Sequence, residues 1–331
     1  MVTTAAVLLA GGTGTRLYPA SRSHRPKQFL ALGDDDRSLL RRTADRADFV
    51  DELFVVTRDS YADRVRDIVP EATVLVEPAG RDTGPALAYA ASEVRERHPD
   101  AVLLCLPSDH VVGDGFRATA ETAVDVAART DALVTLGIEP DRPATGYGYI
   151  QPGTDHGDHY AVDQFREKPD EETAEELLDA GCYWNAGMFV WTPDAFLDVA
   201  RDGPLESVVD ALETGGDVAG AFDEIDSVSV DYAVLERADD VRVVPADFEW
   251  DDVGAWDALL RLADEKNATL GDTLAIDASG NVLASDDKHI SVVGADDLVV
   301  AAFDDRVLVV PTDDAQRVRE VVAELRADDQ F

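Results

Sequence analysis

Ala5-Ala6-Val7-Leu8-Leu9-Ala10-Gly11-Gly12-Thr13-Gly14-Thr15-Arg16-Leu17 opens the 331-residue chain, and Pro26-Lys27-Gln28-Phe29 follows shortly behind it. Apolar Ala5 to Ala10 reads as a buried strand, and the glycines after it leave backbone N–H groups able to approach a phosphate without interference from a Cβ. Ala10, Gly11, Gly12, Thr13, Gly14 and Thr15 therefore form a candidate anion cradle, with Arg16 and Lys27 supplying charge beside it. Neither of the two better-known phosphate loops is present. No Gly-Lys-Ser/Thr closes the turn, and no third glycine follows Gly12-Thr13-Gly14 at dinucleotide spacing.

Charge singles out the same stretch. The chain carries 29 Lys and Arg against 68 Asp and Glu, a net charge of −39. Such a field repels polyanions, which excludes nucleic acid and anionic membrane as general partners. Only four of the cations are lysines, and an acid-rich, lysine-poor surface suits a salt-loaded cytoplasm, where ionic strength screens self-repulsion. Yet residues 1–33 hold no Asp or Glu where about seven would be expected at the chain's average. They do hold Arg16, Arg22, His24, Arg25 and Lys27, so the one positive island surrounds the glycine loop.

Outward from the loop, apolar runs alternate with helical patterns. Strands are expected at 52–57, 73–76, 101–106 and 132–138, and helices at 38–48, 61–69, 83–97 and 115–128, with Thr83 as N-cap and Pro85 in the first turn of the third helix. This alternation predicts an α/β fold with a doubly wound, mostly parallel, Rossmann-like sheet, whose ligands gather at the carboxyl ends of its strands. The glycine loop, Glu77 to Thr83 and Ser108-Asp109 all follow strands and so converge on one edge. The middle third departs from simple alternation. Strands are expected after Gly146-Tyr147-Gly148-Tyr149 and over 161–166 and 241–246, with helix over much of 193–222. In Tyr183-Trp184-Asn185-Ala186-Gly187-Met188-Phe189-Val190-Trp191 the amide of Asn185 stands out, since a polar group in an apolar strand needs a partner, and a sugar hydroxyl would serve. From Thr273 short β runs separated by Asp, Gly and Asn turns predict a small C-terminal β module closed by a helix over 314–326. The division expected is 1–268 and 269–331. Cys105 and Cys182 stand far apart in apolar contexts, which indicates neither a zinc site nor a disulfide. No run of about 18 apolar residues and no basic leader occurs, so a cytoplasmic protein is expected.

Together these pieces resemble the sugar-1-phosphate nucleotidyltransferases, most closely the mannose-1-phosphate guanylyltransferases. Seven stretches carry the likeness in family order: Leu9 to Leu17 with Pro26 to Phe29, Glu77-Pro78 with Gly80 to Ala86, Leu106 to His110, Gly146 to Ile150, Phe165 to Pro169, Trp184 to Phe189, and Trp250 to Trp256. Pro26-Lys27-Gln28-Phe29 and Asp252-Val253-Gly254-Ala255-Trp256 point to the guanylyl branch, while Asp82 and Ala186 stand where that branch commonly has asparagine and serine. The resemblance implies transfer of GMP from GTP to mannose 1-phosphate, giving GDP-mannose and pyrophosphate without a protein nucleophile. It implies Arg16 and Lys27 at the triphosphate, Lys168 at the sugar phosphate, and a Mg2+ or other divalent cation on Asp109 and Asp252. Glu77, Arg81, Asp82, Thr83 and Ser108 would serve the nucleotide, and Gly148, Glu167 and Asn185 the mannose. His110 reads as structural. Lys27→Ala is expected to cost activity with little loss of stability. The family's appended isomerase domain is absent, so no isomerase activity is expected, and assembly through the C-terminal region suggests a homodimer. Transfer from UTP, dTTP or ATP to glucose 1-phosphate is the alternative, and a silent sugar-nucleotide sensor on the same fold is a further one.

Overall fold

The computed structural model of the protein describes residues 2–32, 36–263, 265–328 and 331. Compactness divides the chain into two units that interleave in sequence. The larger comprises Met1–Gly11, Thr43–Ser108 and Val112–Trp250, and the smaller Gly12–Arg42, Asp109–Val111 and Asp251–Phe331.

The larger unit is built on a nine-stranded sheet. Its strands in chain order are β1 (Thr3–Leu9), β2 (Glu52–Thr57), β3 (Thr73–Val76), β4 (Ala101–Pro107), and, after the short separate β5 (Val111–Val112), β6 (Leu133–Ile138), β7 (Tyr149–Asp155), β8 (Tyr160–Arg166), β9 (Tyr183–Trp191) and β10 (Val241–Pro245). Across the sheet the order is β3-β2-β1-β4-β9-β6-β10-β8-β7. The first four are parallel, as is β6 with β10. Continuous apolar runs such as Ala101 to Leu106, buried throughout, are what a parallel strand covered on both faces requires. Simple alternation fails at β9, which lies antiparallel between β4 and β6, and at the antiparallel β7–β8 pair. Among the described residues no helix is long and apolar enough to cross a membrane.

The helix Thr83–Arg97 packs its alanines and Leu87 into the main core, with Ala88, Ala90 and Ala91 fully buried. Its N-cap is Asp82, not Thr83. The Asp82 carboxylate accepts from the Thr83 N–H at 2.8 Å at a backbone φ of 72°, while the Thr83 hydroxyl accepts from Val230 N at 2.9 Å. Cys105 and Cys182 are both free and buried, and burial raises both thiols, which removes them as nucleophiles.

Beyond the two-residue β11 (Trp250–Asp251), β12 (Ala268–Leu270), β14 (Val282–Ser285) and β16 (Leu298–Phe303) of the smaller unit stack in parallel with β17 (Arg306–Pro311) antiparallel at the edge, and β13 (Thr273–Ile276) pairs in parallel with β15 (Ile290–Val293). Parallel stacking of successive short strands makes this module a β-helix. Asparagines join its coils. Buried Asn281 accepts from Leu298 N at 3.0 Å and donates to Ala295 O at 3.0 Å, and Asn267 accepts from Asn281 N at 3.0 Å. The strand at 268–270 is additional to those expected from the sequence, and the closing helix is the α-helix Val318–Ala327 behind a 3-10 stretch from Thr312.

Candidate active site

Gly12 to Thr15 lead into a 3-10 turn, Thr15–Leu17, that belongs to the smaller unit. Gly14 sits in the left-handed region at φ 57°, and a Cβ there would clash with the Lys27 side chain. Among the described residues a Cβ on Gly12 would meet nothing within 4 Å, so none of them dictates glycine at that position, as expected where a ligand must approach the backbone. Gln28, which the sequence reading passed over, donates to the Gly12 carbonyl at 3.0 Å and fixes that peptide. Lys27 is buried, only 5% exposed. Its Nζ donates to Asp109 Oδ2 at 3.0 Å and to the backbone carbonyl of Asp252. Both expected cation ligands are thus gathered on one ammonium group. Burial pushes the Asp109 carboxyl up, but Lys27 and then His110 outweigh it and hold the group below its ordinary value.

Asp252 is presented by a strained turn. Val253 has φ 44°, costly for a β-branched residue, and the turn is held by Asp251 Oδ1 accepting from Val253 N at 2.7 Å and Asp252 Oδ1 accepting from Gly254 N at 3.1 Å. Arg261 in turn pairs with Asp251 at 2.9 Å. Asp251 therefore supports the turn and Asp252 is the carboxylate it displays. Two hard oxygen donors fit the requirement of Mg2+, which takes one or two carboxylates and completes its shell with water and substrate phosphate. Among the described residues no group of three or more His, Cys, Asp or Glu could hold a metal by itself.

The positive island is partly spent within the smaller unit. Arg22 pairs with Asp305 at 2.7 Å and Arg25 with Asp304 at 3.2 Å, so these two arginines tie the loop region to the β-helix module. Arg16 is held by Gln316 Oε1 at 3.1 Å, a neutral acceptor that leaves its charge uncompensated by that contact.

In the larger unit, Glu77 directly follows β3 and is 6% exposed. Burial raises its carboxyl from 4.5 to about 7, with Arg58 pulling down and Asp82 adding to the rise. Arg81 does not offer its guanidinium to this loop. It donates to the carbonyls of Phe222 at 2.7 Å and Asp223 at 2.8 Å, a structural clasp. Asp82 and Thr83 are engaged in the helix cap already described. Ser108 is likewise occupied, its hydroxyl donating to Leu9 O at 2.6 Å and so fastening the end of β4 to the end of β1.

The residues expected to hold the sugar do come together. Tyr149 pairs with both Arg166 and Trp184 in register, which places Gly148, Glu167 and Asn185, each one residue away, side by side. The Asn185 N–H donates to Gly148 O at 2.8 Å, and a Cβ on Gly148 would stand 2.5 Å from Glu167 Oε2. Lys168, at φ 46°, reaches Glu167 Oε1 at 2.5 Å. Burial lowers its ammonium, but the Glu167 hydrogen bond and charge prevail and the lysine stays above its ordinary value, fully protonated. The Asn185 amide is largely satisfied by protein: its oxygen accepts from Thr135 Oγ1 at 2.9 Å and Gly187 N at 3.1 Å, and its nitrogen donates to Asp231 at 2.9 Å. A sugar is thus not its sole means of satisfaction. Asp231 was missed in the sequence, although an acid between Val230 and Ala233-Val234-Leu235 is itself a signal. Burial, then Glu167, raises it from 3.8 to about 6.

A doubly wound sheet with a glycine loop after β1, a lysine-bridged aspartate pair and a Glu-Lys pair beside an asparagine define a nucleotidyltransferase, and a family model described as nucleotidyl transferase matches residues 5–269. A second, described as a MannoseP isomerase/GMP-like beta-helix domain, matches 271–325. The chain belongs to the sugar-1-phosphate nucleotidyltransferases and, within them, to the mannose-1-phosphate guanylyltransferase family. It is 36% identical to the mannose-1-phosphate guanylyltransferase of Sinorhizobium fredii over 97% of this chain and 68% of that one. It is 39% identical to the xanthan biosynthesis protein XanB of Xanthomonas campestris pv. campestris, over 97% of this chain and 73% of that one. The crystal structure of the mannose-1-phosphate geranyltransferase from Thermus thermophilus superposes with a TM-score of 0.92 at 36% identity, covering 98% of this chain and all of that one.

Proposed function

We propose that the protein transfers GMP from GTP to mannose 1-phosphate, releasing pyrophosphate and forming GDP-mannose. The observation that carries this reading is the juxtaposition of Gly148 before β7, Glu167 and Lys168 after β8, and Asn185 within β9, in a chain related over nearly its whole length to mannose-1-phosphate guanylyltransferases. A phosphate oxygen of mannose 1-phosphate attacks the α-phosphorus of GTP. The new P–O bond forms as the bond to the bridging oxygen breaks, and pyrophosphate leaves with that electron pair. No side chain need act as nucleophile, so the protein's task is to align two anions that repel each other and to stabilise charge.

In this reading Arg16 and the Gly12 to Thr15 backbone take the triphosphate. Lys27 holds Asp109 and Asp252 in place, and those carboxylates would hold a Mg2+ ion whose charge offsets that of the phosphates. Lys168, kept protonated by Glu167, receives the phosphate of the sugar substrate. The Glu167 carboxylate and the Asn185 amide take mannose hydroxyls, with the Gly148 backbone beside them. Glu77 accepts from the guanine base. Residues 1–268 act as the catalytic domain and 269–331 as a β module. The module's exposed Leu274, Ile276, Val293, Val307 and Val309 support assembly into a homodimer through it, which light scattering tests. The acid-rich composition supports function in high salt.

Pyrophosphate release measured with GTP, ATP, UTP, CTP and dTTP against mannose 1-phosphate, glucose 1-phosphate and one further sugar phosphate decides the reading. GTP with mannose 1-phosphate is expected to be fastest. A preference for UTP, dTTP or ATP with glucose 1-phosphate refutes it, as does inactivity with every pair.

A further inference from the structure

Two polar groups of opposite kind in the larger unit are left with unused hydrogen-bonding capacity next to each other. Thr57 and Val76 are register partners on β2 and β3, so Arg58 and Glu77 leave the sheet side by side, each one residue beyond a paired position. The Glu77 carboxyl lies against the glycine loop, with Oε1 2.7 Å from where a Cβ on Gly11 would stand, and Arg58 Cγ is 3.9 Å from the same point. The Arg58 guanidinium lies flat on the next loop. Its Nε, Cζ and Nη2 are 2.8, 2.9 and 2.9 Å from the position of a Cβ on Gly80, so glycine at 80 is what lets it lie there. Arg58 Nε is buried and has no hydrogen-bond partner among the described residues. A buried donor without a partner is costly, and one placed beside a buried acceptor at the mouth of two loops is suited to a ligand that satisfies both.

Guanine has the matching pattern. Its N1–H and N2–H donate, and its O6 and N7 accept on the adjoining edge, where a guanidinium fork fits both acceptors. We propose that Arg58 is a specificity-determining residue for the base, donating to guanine O6 and N7 while Glu77 accepts from N1–H and N2–H. This rests on the GTP reading given above. It explains how the pair rejects adenine, which puts an N6 amino donor against the guanidinium and an N1 lone pair against the carboxylate. A pyrimidine has no atom where N7 would be.

The test is the ratio of kcat/KM for GTP to that for 7-deaza-GTP, which lacks only the N7 acceptor, and for ITP, which lacks only the N2 amine. These are measured for the intact protein and for Arg58→Ala and Arg58→Lys. The intact protein is expected to prefer GTP over 7-deaza-GTP about tenfold. Arg58→Ala is expected to lose at least tenfold on GTP, to use both nucleotides equally, and to keep its preference over ITP and its KM for the sugar phosphate. Arg58→Lys keeps the charge beside Glu77 and a donor for N7 but loses the fork, so its preference should fall between those of the intact protein and Arg58→Ala, and it guards against a folding defect in the alanine variant. Variants that retain the intact protein's GTP to 7-deaza-GTP ratio overturn the proposal while leaving the GTP reading standing. An intact protein that favours UTP, dTTP or ATP instead fails the underlying reading itself.

Discussion

Lys27 Nζ stands 3.0 Å from Asp109 Oδ2 and also donates to the carbonyl of Asp252, so a single buried ammonium joins the two aspartates. The expectation that Lys27→Ala spares stability therefore does not hold. Removing one member of such a pair leaves the other with its charge uncompensated, and because the Asp109 side chain is 36% exposed, the cost is set at about 1–3 kcal/mol, below that of a fully buried pair. Lys27→Ala is expected to lower the urea midpoint by that amount and to abolish turnover. Asp109→Asn keeps a hydrogen-bond acceptor for Lys27 but removes its counter-charge, so it should lose a comparable amount of stability as well as divalent-cation-dependent turnover. A Lys27→Ala variant with unchanged stability and wild-type turnover removes the ammonium from the site.

Glu77 is expected to make stability depend on pH and, under the proposed role at the base, activity as well. Its carboxyl is raised from 4.5 in the unfolded chain to about 7 when folded, so between these values the folded protein binds more protons than the unfolded one. Stability from this group is therefore greatest below pH 4.5 and falls as pH rises to about 7, by up to about 3 kcal/mol. Glu77→Gln is expected to remove that slope, and its advantage in unfolding free energy should be larger at pH 8.5 than at pH 5.5. Accepting from guanine needs the ionised form, so the apparent affinity for GTP should rise through pH 7 in the intact protein and stay low and flat in the variant. Identical slopes in the two proteins discount the assignment.

Much of the fold could be read from the chain because its cause is local. Uninterrupted apolar runs mark β1, β2, β4 and β6, and Asp-Gly-Asn punctuation marks the coils of the β-helix. The antiparallel β9 could not be read, since Tyr183 to Trp191 is as apolar as a parallel strand and only its neighbours fix its direction. At the site, residue types identified the motif positions, but how each side chain is employed depends on partners far along the chain. Arg81 is committed to Phe222 and Asp223, Arg22 and Arg25 to Asp305 and Asp304, and Asn185 to Asp231. None of these pairings has a spacing that a sequence pattern reveals.

Asp231 should matter to the sugar more than to the nucleotide. It accepts from the Asn185 amide at 2.9 Å, and Glu167 adds to the burial that raises it to about 6. Asp231→Ala removes the partner that orients Asn185 and is expected to raise KM for the sugar phosphate about tenfold, the loss of one hydrogen bond to a charged group. The KM for GTP should stay within about twofold. Asp231→Asn retains an acceptor and relieves the repulsion from Glu167, so it should be milder in KM and more stable than the intact protein at pH 8, with the gain vanishing near pH 4. Equal effects of both variants on the two substrates would falsify this division of roles.

Salt should stabilise the protein despite weakening some of its contacts. A net charge of −39 on 331 residues places most acids near other acids, and their repulsion acts over distances that the Debye length, about 10 Å at 0.1 M and 3 Å at 1 M, cuts short. The same screening weakens Arg22–Asp305 and Arg25–Asp304, but Asp305 is 67% and Asp304 44% exposed, and pairs of that kind contribute at most about 1 kcal/mol each. Repulsion among 68 acids outweighs a few such pairs. The melting temperature is therefore expected to rise by about 5 °C or more between 0.1 M and 2 M KCl. Sodium and potassium chloride should act alike if screening is the cause, and full stability in dilute buffer with no gain on adding salt would refute it.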